Sequence, residues 1–341
     1  TVLKYSTQFI KMFLTLPNGS KLPAIGLGTS GVPNEADLER AIDIALEVGY
    51  RHIDTAYLYR NEKVIGRALK KWLDSGKLKR EEVFITTKLP VQGVHPDRVE
   101  YFMKQSLSNL QLEYVDMYLI HFPVGCLHEE GNLLPPRDEN GICKFEPKTD
   151  HGAVWRKMEE QVDAGRTKHI GLSSYNISQI ETILKIARIK PENLQIEVHV
   201  NLQQRKLVDF CHKNGITVVA FSPLGSPMHN EKMKKFTKDF KERQLPDMLG
   251  DPTINKIAQK YSKSAAQVML RFLLQLGVGA IPKSVTPQRI RDNFDVFDFV
   301  LSDEDMATLT NLEIGEEARI GDWAALTGAH DHPDYPFKNK Y

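Results

Sequence analysis

Cysteine is scarce in this chain of 341 residues, which holds only Cys126, Cys143 and Cys211. An odd number without CxxC or CxxH spacing excludes a disulfide-stapled scaffold and a thiolate zinc site, and it fits a reducing compartment. Histidines and carboxylates do not cluster at ligand spacing either, so no metal is expected. Charge of one sign is also missing: 45 Lys plus Arg stand against 44 Asp plus Glu, so no global field draws the chain to nucleic acid. No apolar run approaches the roughly 18 residues of a membrane helix, and Thr1 to Lys11 lacks the apolar core of a signal peptide. These absences lead to the expectation of a cytoplasmic protein without nucleic-acid or membrane partners. A Pro/Gly/Ser-rich linker is absent too, so the 41% hydrophobic residues are expected to build one body. Met12 reads equally well as a functional start, with residues 1–11 a leader or cloning remnant and a single domain over residues 12–341.

What the chain does contain is a rhythm. Phe13 to Leu16 and Lys21 to Ile25 flank Pro17-Asn18-Gly19-Ser20, and Asn-Gly supplies the positive φ of a hairpin turn. After the hairpin, short β-rich runs alternate with amphipathic stretches. Strands are expected at Ile25–Thr29, Arg51–Thr55, Val83–Leu89, Val115–His121, His169–Ser173, Gln195–His199, Thr217–Ser222 and Ala280–Lys283. Helices are expected after Asn34, at Glu62–Leu73, Arg98–Leu110 and Ala153–Ala164, after Ser178, and at Lys206–Asn214, Ser264–Gln275 and Pro287–Asn293. Eight strand-helix units predict a single α/β (β/α)8 TIM barrel. The hairpin would plug one end, Ser302 to Leu312 would form an extra C-terminal helix, and long loops would cover the C-terminal face. His229 to Gly250 reads as an inserted loop on that face. The tail from Gly321 carries Trp323, His330, His332, Tyr335 and Phe337, a composition suited to a pocket wall.

Gly26-Leu27-Gly28-Thr29-Ser30-Gly31 matches the GxGxxG dinucleotide fingerprint, and Asp54 stands near the distance of its acidic partner. Eight regular units argue against the six-stranded open sheet that the fingerprint needs. In a barrel, polar residues at the C-terminal ends of strands converge on one mouth. Those ends supply Asp54 with Tyr59 on the next loop, Lys88, His121, Ser173-Ser174, and Gln195, Glu197 and His199. Lysine is seldom buried without a partner, and Lys88 ends an apolar run. An ammonium beside a tyrosine favours the phenolate, which predicts a lowered Tyr59 pKa, while Asp54 keeps the lysine charged. His121 would orient a carbonyl oxygen. Such a set fits carbonyl reduction.

The sequence resembles the aldo-keto reductases from about Phe13 to Phe337. The matching blocks are Gly49-Tyr50-Arg51-His52-Ile53-Asp54-Thr55-Ala56-Tyr57-Leu58-Tyr59, then Lys88, then Asp116-Met117-Tyr118-Leu119-Ile120-His121, Gly171-Leu172-Ser173-Ser174-Tyr175-Asn176, Phe221-Ser222-Pro223-Leu224-Gly225, and Ile281-Pro282-Lys283-Ser284. The resemblance implies a catalytic tetrad of Asp54, Tyr59, Lys88 and His121, with Tyr59 the acid and NADPH the hydride donor. It implies that Ser173, Ser174 and Gln195 hold the nicotinamide carboxamide and that Phe221 stacks on the ring, although the family usually has asparagine and tyrosine at 174 and 221. Thr29, Ser30 and Asp54 fall near the nicotinamide ribose, and Ser222, Leu224 and Ser226 at the pyrophosphate, with the inserted loop folding over the cofactor. Lys283, Ser284 and Arg289 suit a 2′-phosphate, with Asn293 at the adenine.

Expected pocket-lining residues are Tyr59, His121, Phe122, Trp155, Trp323 and Tyr335, with Leu245 to Leu249 of the inserted loop. Their apolar character favours a hydrophobic small-molecule carbonyl over a free sugar. The resemblance is nearest the aldose and aldehyde reductase branch, whose arthropod members include reductases of the steroid ketone 3-dehydroecdysone, and it implies a monomer. The competing readings are a cofactor-binding regulatory or structural protein of the same fold and a barrel acting on phosphorylated substrates.

Overall fold

The structure is a computed structural model, and it describes residues 12–338 apart from 33, 228 and 237–241. The expected leader, residues 1–11, lies outside the described residues. β1 (Phe13–Thr15) and β2 (Lys21–Pro23) pair antiparallel around Gly19, whose φ is +90°. The Gly19 amide donates to the Leu16 carbonyl at 2.8 Å, which closes the turn. Leu16 and Leu22 are buried and pack against Phe84, Met117, Leu119, Val219 and Ile281. Those five come from barrel strands or the residue after one, so the hairpin stops the barrel with its two leucines.

Then come β3 (Leu27–Gly28), α1 (Glu35–Val48), β4 (His52–Asp54), α2 (Glu62–Asp74), β5 (Phe84–Leu89), α3 (Val99–Leu110) and β6 (Val115–Ile120). They continue as α4 (His151–Asp163), β7 (Thr167–Ser173), α5 (Ile177–Ile186), β8 (Asn193–Glu197), α6 (Arg205–Lys213) and β9 (Thr217–Phe221). The chain ends with α7 (His229–Phe236), α8 (Pro252–Tyr261), α9 (Ala265–Gln275), β10 (Val278–Ala280), α10 (Pro287–Phe294) and α11 (Asp303–Thr310). β3 to β10 pair in sequence order, all parallel. Bridges from Ile25 to Ala280 and from Gly28 to Lys283 bring the first strand against the last and close the barrel.

The closure accounts for the glycines of the false fingerprint. A Cβ on Gly28 would lie 2.5 Å from the Ile281 carbonyl oxygen, and one on Gly26 would lie 2.5 Å from His52 Nδ1. Gly28 thus serves close strand approach at the seam, and Gly26 leaves room for the His52 ring.

Local signals set the helices. α1 starts where the Asn34 side chain accepts from the Asp37 amide, buries Leu38, Ala41, Ile42, Ala45 and Leu46, and stops at Gly49 with φ +116°. Three expectations need correction. β3 is shorter than Ile25–Thr29. β10 ends at Ala280 and not at Lys283, because Pro282 has no amide to extend the ladder. The stretch taken as an inserted loop contains α7, and α8 follows it unforeseen, although Asp251 caps it and Pro252 opens it. Among the described residues, no helix is long and apolar enough to cross a membrane.

Candidate active site

The ends of β4, β5 and β6 carry the reactive groups. Asp54 closes β4, Lys88 sits next to last in β5, and His121 follows β6 directly. Tyr59 ends a 3-10 turn over Tyr57–Tyr59 that reverses at Arg60, φ +57°. That turn is clamped by Asn61, which accepts from Thr55 Oγ1 at 2.9 Å and donates to the Thr29 carbonyl at 2.9 Å. The sequence reading assigned nothing to Thr55 or Asn61, and only their position beside Tyr59 could have flagged them.

Lys88 has no exposed surface. Its ammonium donates to Asp54 Oδ1 at 2.5 Å, to the Thr55 carbonyl at 2.9 Å and to the Tyr59 hydroxyl at 3.5 Å, one contact for each proton. Asp54 Oδ2 accepts from Gln195 Nε2 at 2.7 Å, and the Asp54 carbonyl accepts from Thr29 Oγ1. The Tyr59 hydroxyl stands 3.5 Å from His121 Nε2, with the two rings edge to face. The four expected tetrad side chains therefore meet.

Their protonation follows from burial and mutual charge. Burial opposes the Lys88 charge most strongly, but the Asp54 carboxylate and Tyr59 together outweigh it, and the ammonium is held above its ordinary pKa. His121 is driven well below its ordinary value by burial and then by Lys88, so it is neutral at pH 7. Tyr59 corrects an expectation: its pKa is raised. Burial exceeds the opposing pull of Lys88 and of the hydrogen bonds from Lys88 and Ser30. The phenol is therefore held protonated beside a cation.

Ser173 ends β7, and Ser174 follows it at φ +60°, a left-handed conformation that asparagine enters more readily than serine. The Ser174 Oγ is buried without a hydrogen-bond partner, while its amide donates to the Gln195 carbonyl at 3.0 Å. A buried hydroxyl left open at the strand ends fits a polar ligand group such as a carboxamide. Phe221 ends β9, and Ser222 and Ser226 follow at φ +48° and +41°, with Ser226 Oγ donating to Ser222 Oγ. Leu224 packs on the main core. Lys283 and Arg289 are exposed, Ser284 Oγ accepts from the Thr286 amide, and Asn293 is buried on α10. These residues lie from the β10 end into α10. Among the described residues no group of histidines, cysteines and carboxylates could hold a metal.

Phe122 is fully buried and stacks on Trp323 at 4.4 Å between centroids, and the same indole meets His121 edge-on at 4.9 Å. Leu58, Tyr335 and Phe337 join this aromatic cluster. Two pocket expectations are overturned. Trp155 has no exposed surface, donates its indole N–H to the Ile189 carbonyl at 2.9 Å and belongs to the main core, where α4 packs on the barrel. Met248 and Leu249 likewise pack into that core. An aromatic or apolar residue on a helix after a strand carries no sequence mark separating core from pocket.

Residues 24–314 match the Aldo/keto reductase family. The aldo-keto reductase family 1 member A1 of Xenopus tropicalis is 41% identical over 333 residues, covering 96% of this chain and 98% of that protein. The aldo-keto reductase family 1 member C4 of Homo sapiens is 40% identical over 331 residues, covering 96% and 97%. Among solved structures, the aldose reductase from Schistosoma japonicum superposes with a TM-score of 0.86 at 42% identity, covering 96% of this chain and 99% of that one.

Proposed function

Because the chain belongs to the aldo/keto reductase family, and so to oxidoreductases of small carbonyl compounds, we propose that it reduces hydrophobic aldehydes or ketones with NADPH, using Tyr59 as the general acid. The observation that carries this reading is the Tyr59 hydroxyl, 3.5 Å from both Lys88 Nζ and His121 Nε2. NADPH, when bound, supplies a hydride to the carbonyl carbon. A proton must then reach the carbonyl oxygen, and Tyr59 holds one. Neutral His121 donates a hydrogen bond to the same oxygen and orients it. As the Tyr59 proton leaves, phenolate charge grows beside the Lys88 ammonium, which Asp54 keeps charged and in place.

Ser173, Ser174 and Gln195 would hold the nicotinamide carboxamide, and the unpartnered Ser174 hydroxyl supports that assignment. Phe221 would lie under the ring, Thr29 and Ser30 near the ribose, and Ser222, Leu224 and Ser226 at the pyrophosphate. Lys283, Ser284, Arg289 and Asn293 would take the 2′-phosphate and adenine, which favours NADPH over NADH. Tyr59, His121, Phe122 and Trp323 would line the carbonyl pocket, and their aromatic surfaces favour a hydrophobic carbonyl, with a steroid ketone such as 3-dehydroecdysone as the candidate that the family resemblance adds. A monomer in the cytoplasm completes the reading, in keeping with three free, buried cysteines.

The test is loss of reduced-nicotinamide absorbance with a medium-chain aldehyde, an aromatic aldehyde, a hexose and a steroid ketone, each with NADPH and with NADH. Turnover with NADPH that favours the apolar carbonyls is expected. Tight NADPH binding without turnover would sink the reductase reading and favour a regulatory or structural role.

A further inference from the structure

Glu197 ends β8 with no exposed surface, and the tetrad does not touch it. A buried carboxylate is costly unless its oxygens are satisfied. Here Oε1 accepts from the Ile320 amide at 2.8 Å and from His199 Nε2 at 3.0 Å, and Oε2 accepts from the Gly321 amide at 2.6 Å. The carboxylate thus grips two successive backbone amides of the C-terminal segment. Gln195, two residues earlier on the same face of β8, donates to Asp54. One strand therefore fixes both the tetrad and that segment.

The segment is fitted closely at the grip. A Cβ on Gly321 would lie 2.8 Å from the Phe221 ring and 3.0 Å from Glu197 Oε2, so the backbone is pressed between them. Two residues on, Trp323 takes φ +60°, and its indole is laid against His121 and Phe122. A left-handed φ at a bulky residue persists only where neighbours hold it. Around it the Asp322 carbonyl accepts from the Tyr335 hydroxyl at 2.8 Å, Asp322 Oδ2 pairs with Arg243 at 3.0 Å, and the Trp323 carbonyl accepts from the Leu326 amide at 2.8 Å, while the two amide bonds to Glu197 anchor the chain that leads into it.

We propose that Glu197 is a positioning residue that sets the Trp323 wall of the carbonyl pocket and with it the size of substrate that reaches Tyr59 and His121. The proposal rests on the carbonyl-reductase reading for its kinetic consequence alone. The link from Glu197 to Trp323 is a property of the chain itself.

The experiment compares the parent with Glu197→Gln, Glu197→Asp and Gly321→Ala. Glutamine turns an N–H2 group towards one of the two amides and keeps only one anchor, while alanine pushes the same segment from the other side. In Glu197→Gln, with NADPH, the KM of a bulky aromatic aldehyde is expected to shift by about tenfold, as loss of one charge-assisted hydrogen bond implies, with kcat held. The KM of a short aliphatic aldehyde, which presents less surface to the indole, is expected to shift less. Acrylamide quenching of Trp323, isolated by subtracting the matching Trp323→Phe protein, rises in Glu197→Gln and Gly321→Ala and stays near parent in Glu197→Asp. Equal losses for both aldehydes, or unchanged quenching, would overturn the proposal. A parent that shows no turnover would defeat the reductase reading, and the quenching series would still decide the Glu197 link. If Glu197→Gln does not fold, Gly321→Ala and Glu197→Asp give the same decision.

Discussion

Lys88 Nζ stands 2.5 Å from Asp54 Oδ1, and neither side chain reaches solvent. Removing one partner of a buried ion pair strands the other charge and costs about 3–5 kcal/mol, whereas replacing both by apolar residues is often close to neutral. Lys88→Met is therefore expected to lower the unfolding free energy by about that amount in urea titrations. The double variant Asp54→Leu/Lys88→Met is expected to recover a large part of the loss while remaining inactive. Equal destabilisation by the single and double variants would mean that the pair is not what holds this part of the barrel.

Tyr59→Phe removes the proposed proton donor and keeps the ring that meets His121 edge-on. The turnover number is expected to fall by about 10²–10⁴-fold, the usual contribution of a placed general acid. NADPH binding, followed by quenching of intrinsic fluorescence, is expected to survive, because the hydroxyl is not among the groups assigned to the cofactor. A variant that turns over near the parent rate would remove Tyr59 from its role.

Strand ends were legible in the sequence because a closed barrel makes them so. Once eight alternating units are counted, the polar residue ending each apolar run must face the mouth, and Asp54, Lys88 and His121 do. Less legible was anything decided by contacts between distant segments. Trp155 and Trp323 are both aromatic residues on the C-terminal side of the barrel, and only packing separates the one bonded to Ile189 from the one laid on His121. Glu197 was visible as a charge in a buried strand, but its partners, Ile320 and Gly321, lie more than a hundred residues away. α7 was missed because His229 to Phe236 carries charged residues without an apolar period, and α8 lies between Gly250 and Ser264, where no element was expected. The direction of the Tyr59 shift was missed for a related reason: the charge of Lys88 shows in the sequence, and the depth of burial does not.

Two buried histidines set the acid limit. His52, against Phe84 and bonded to Thr86 Oγ1, is lowered to about 4 by burial above all, and His121 is held well below its ordinary value by burial and Lys88. Below pH ~6.5 the unfolded chain takes up protons at both positions that the folded chain refuses, so stability falls as pH falls, by up to about 1.4 kcal/mol per pH unit for each histidine. For His52 the loss accumulates from about 6.5 down to about 4. Asp334, held at about 2 despite its burial by hydrogen bonds from His151 and Thr149, contributes only below the ordinary aspartate value near 4. Above pH ~4, His128 and His212, also lowered by burial, add to the decline, while Glu62 and Glu313, whose carboxyls burial raises, oppose it. His52→Gln is expected to flatten the decline of urea stability between pH 6.5 and 4, and a slope unchanged from parent would contradict the assignment.

On the proposed reading, the choice of NADPH over NADH rests on charge at the far end of the cofactor. Lys283 follows β10 at the barrel seam, and Arg289 stands exposed on α10. The 2′-phosphate that distinguishes NADPH from NADH is a dianion, and a charge-assisted hydrogen bond to it contributes about 1.5–3 kcal/mol, or roughly 10- to 100-fold in affinity. Arg289→Leu is expected to weaken NADPH binding by about that factor and to leave NADH binding unchanged, because NADH carries no group there for the guanidinium to meet. The parent's preference should also shrink as salt is raised, since an exposed ion pair is screened. Equal weakening of both cofactors would mark Arg289 as part of the α10 scaffold. An unchanged NADPH affinity would move the phosphate site elsewhere on the barrel mouth.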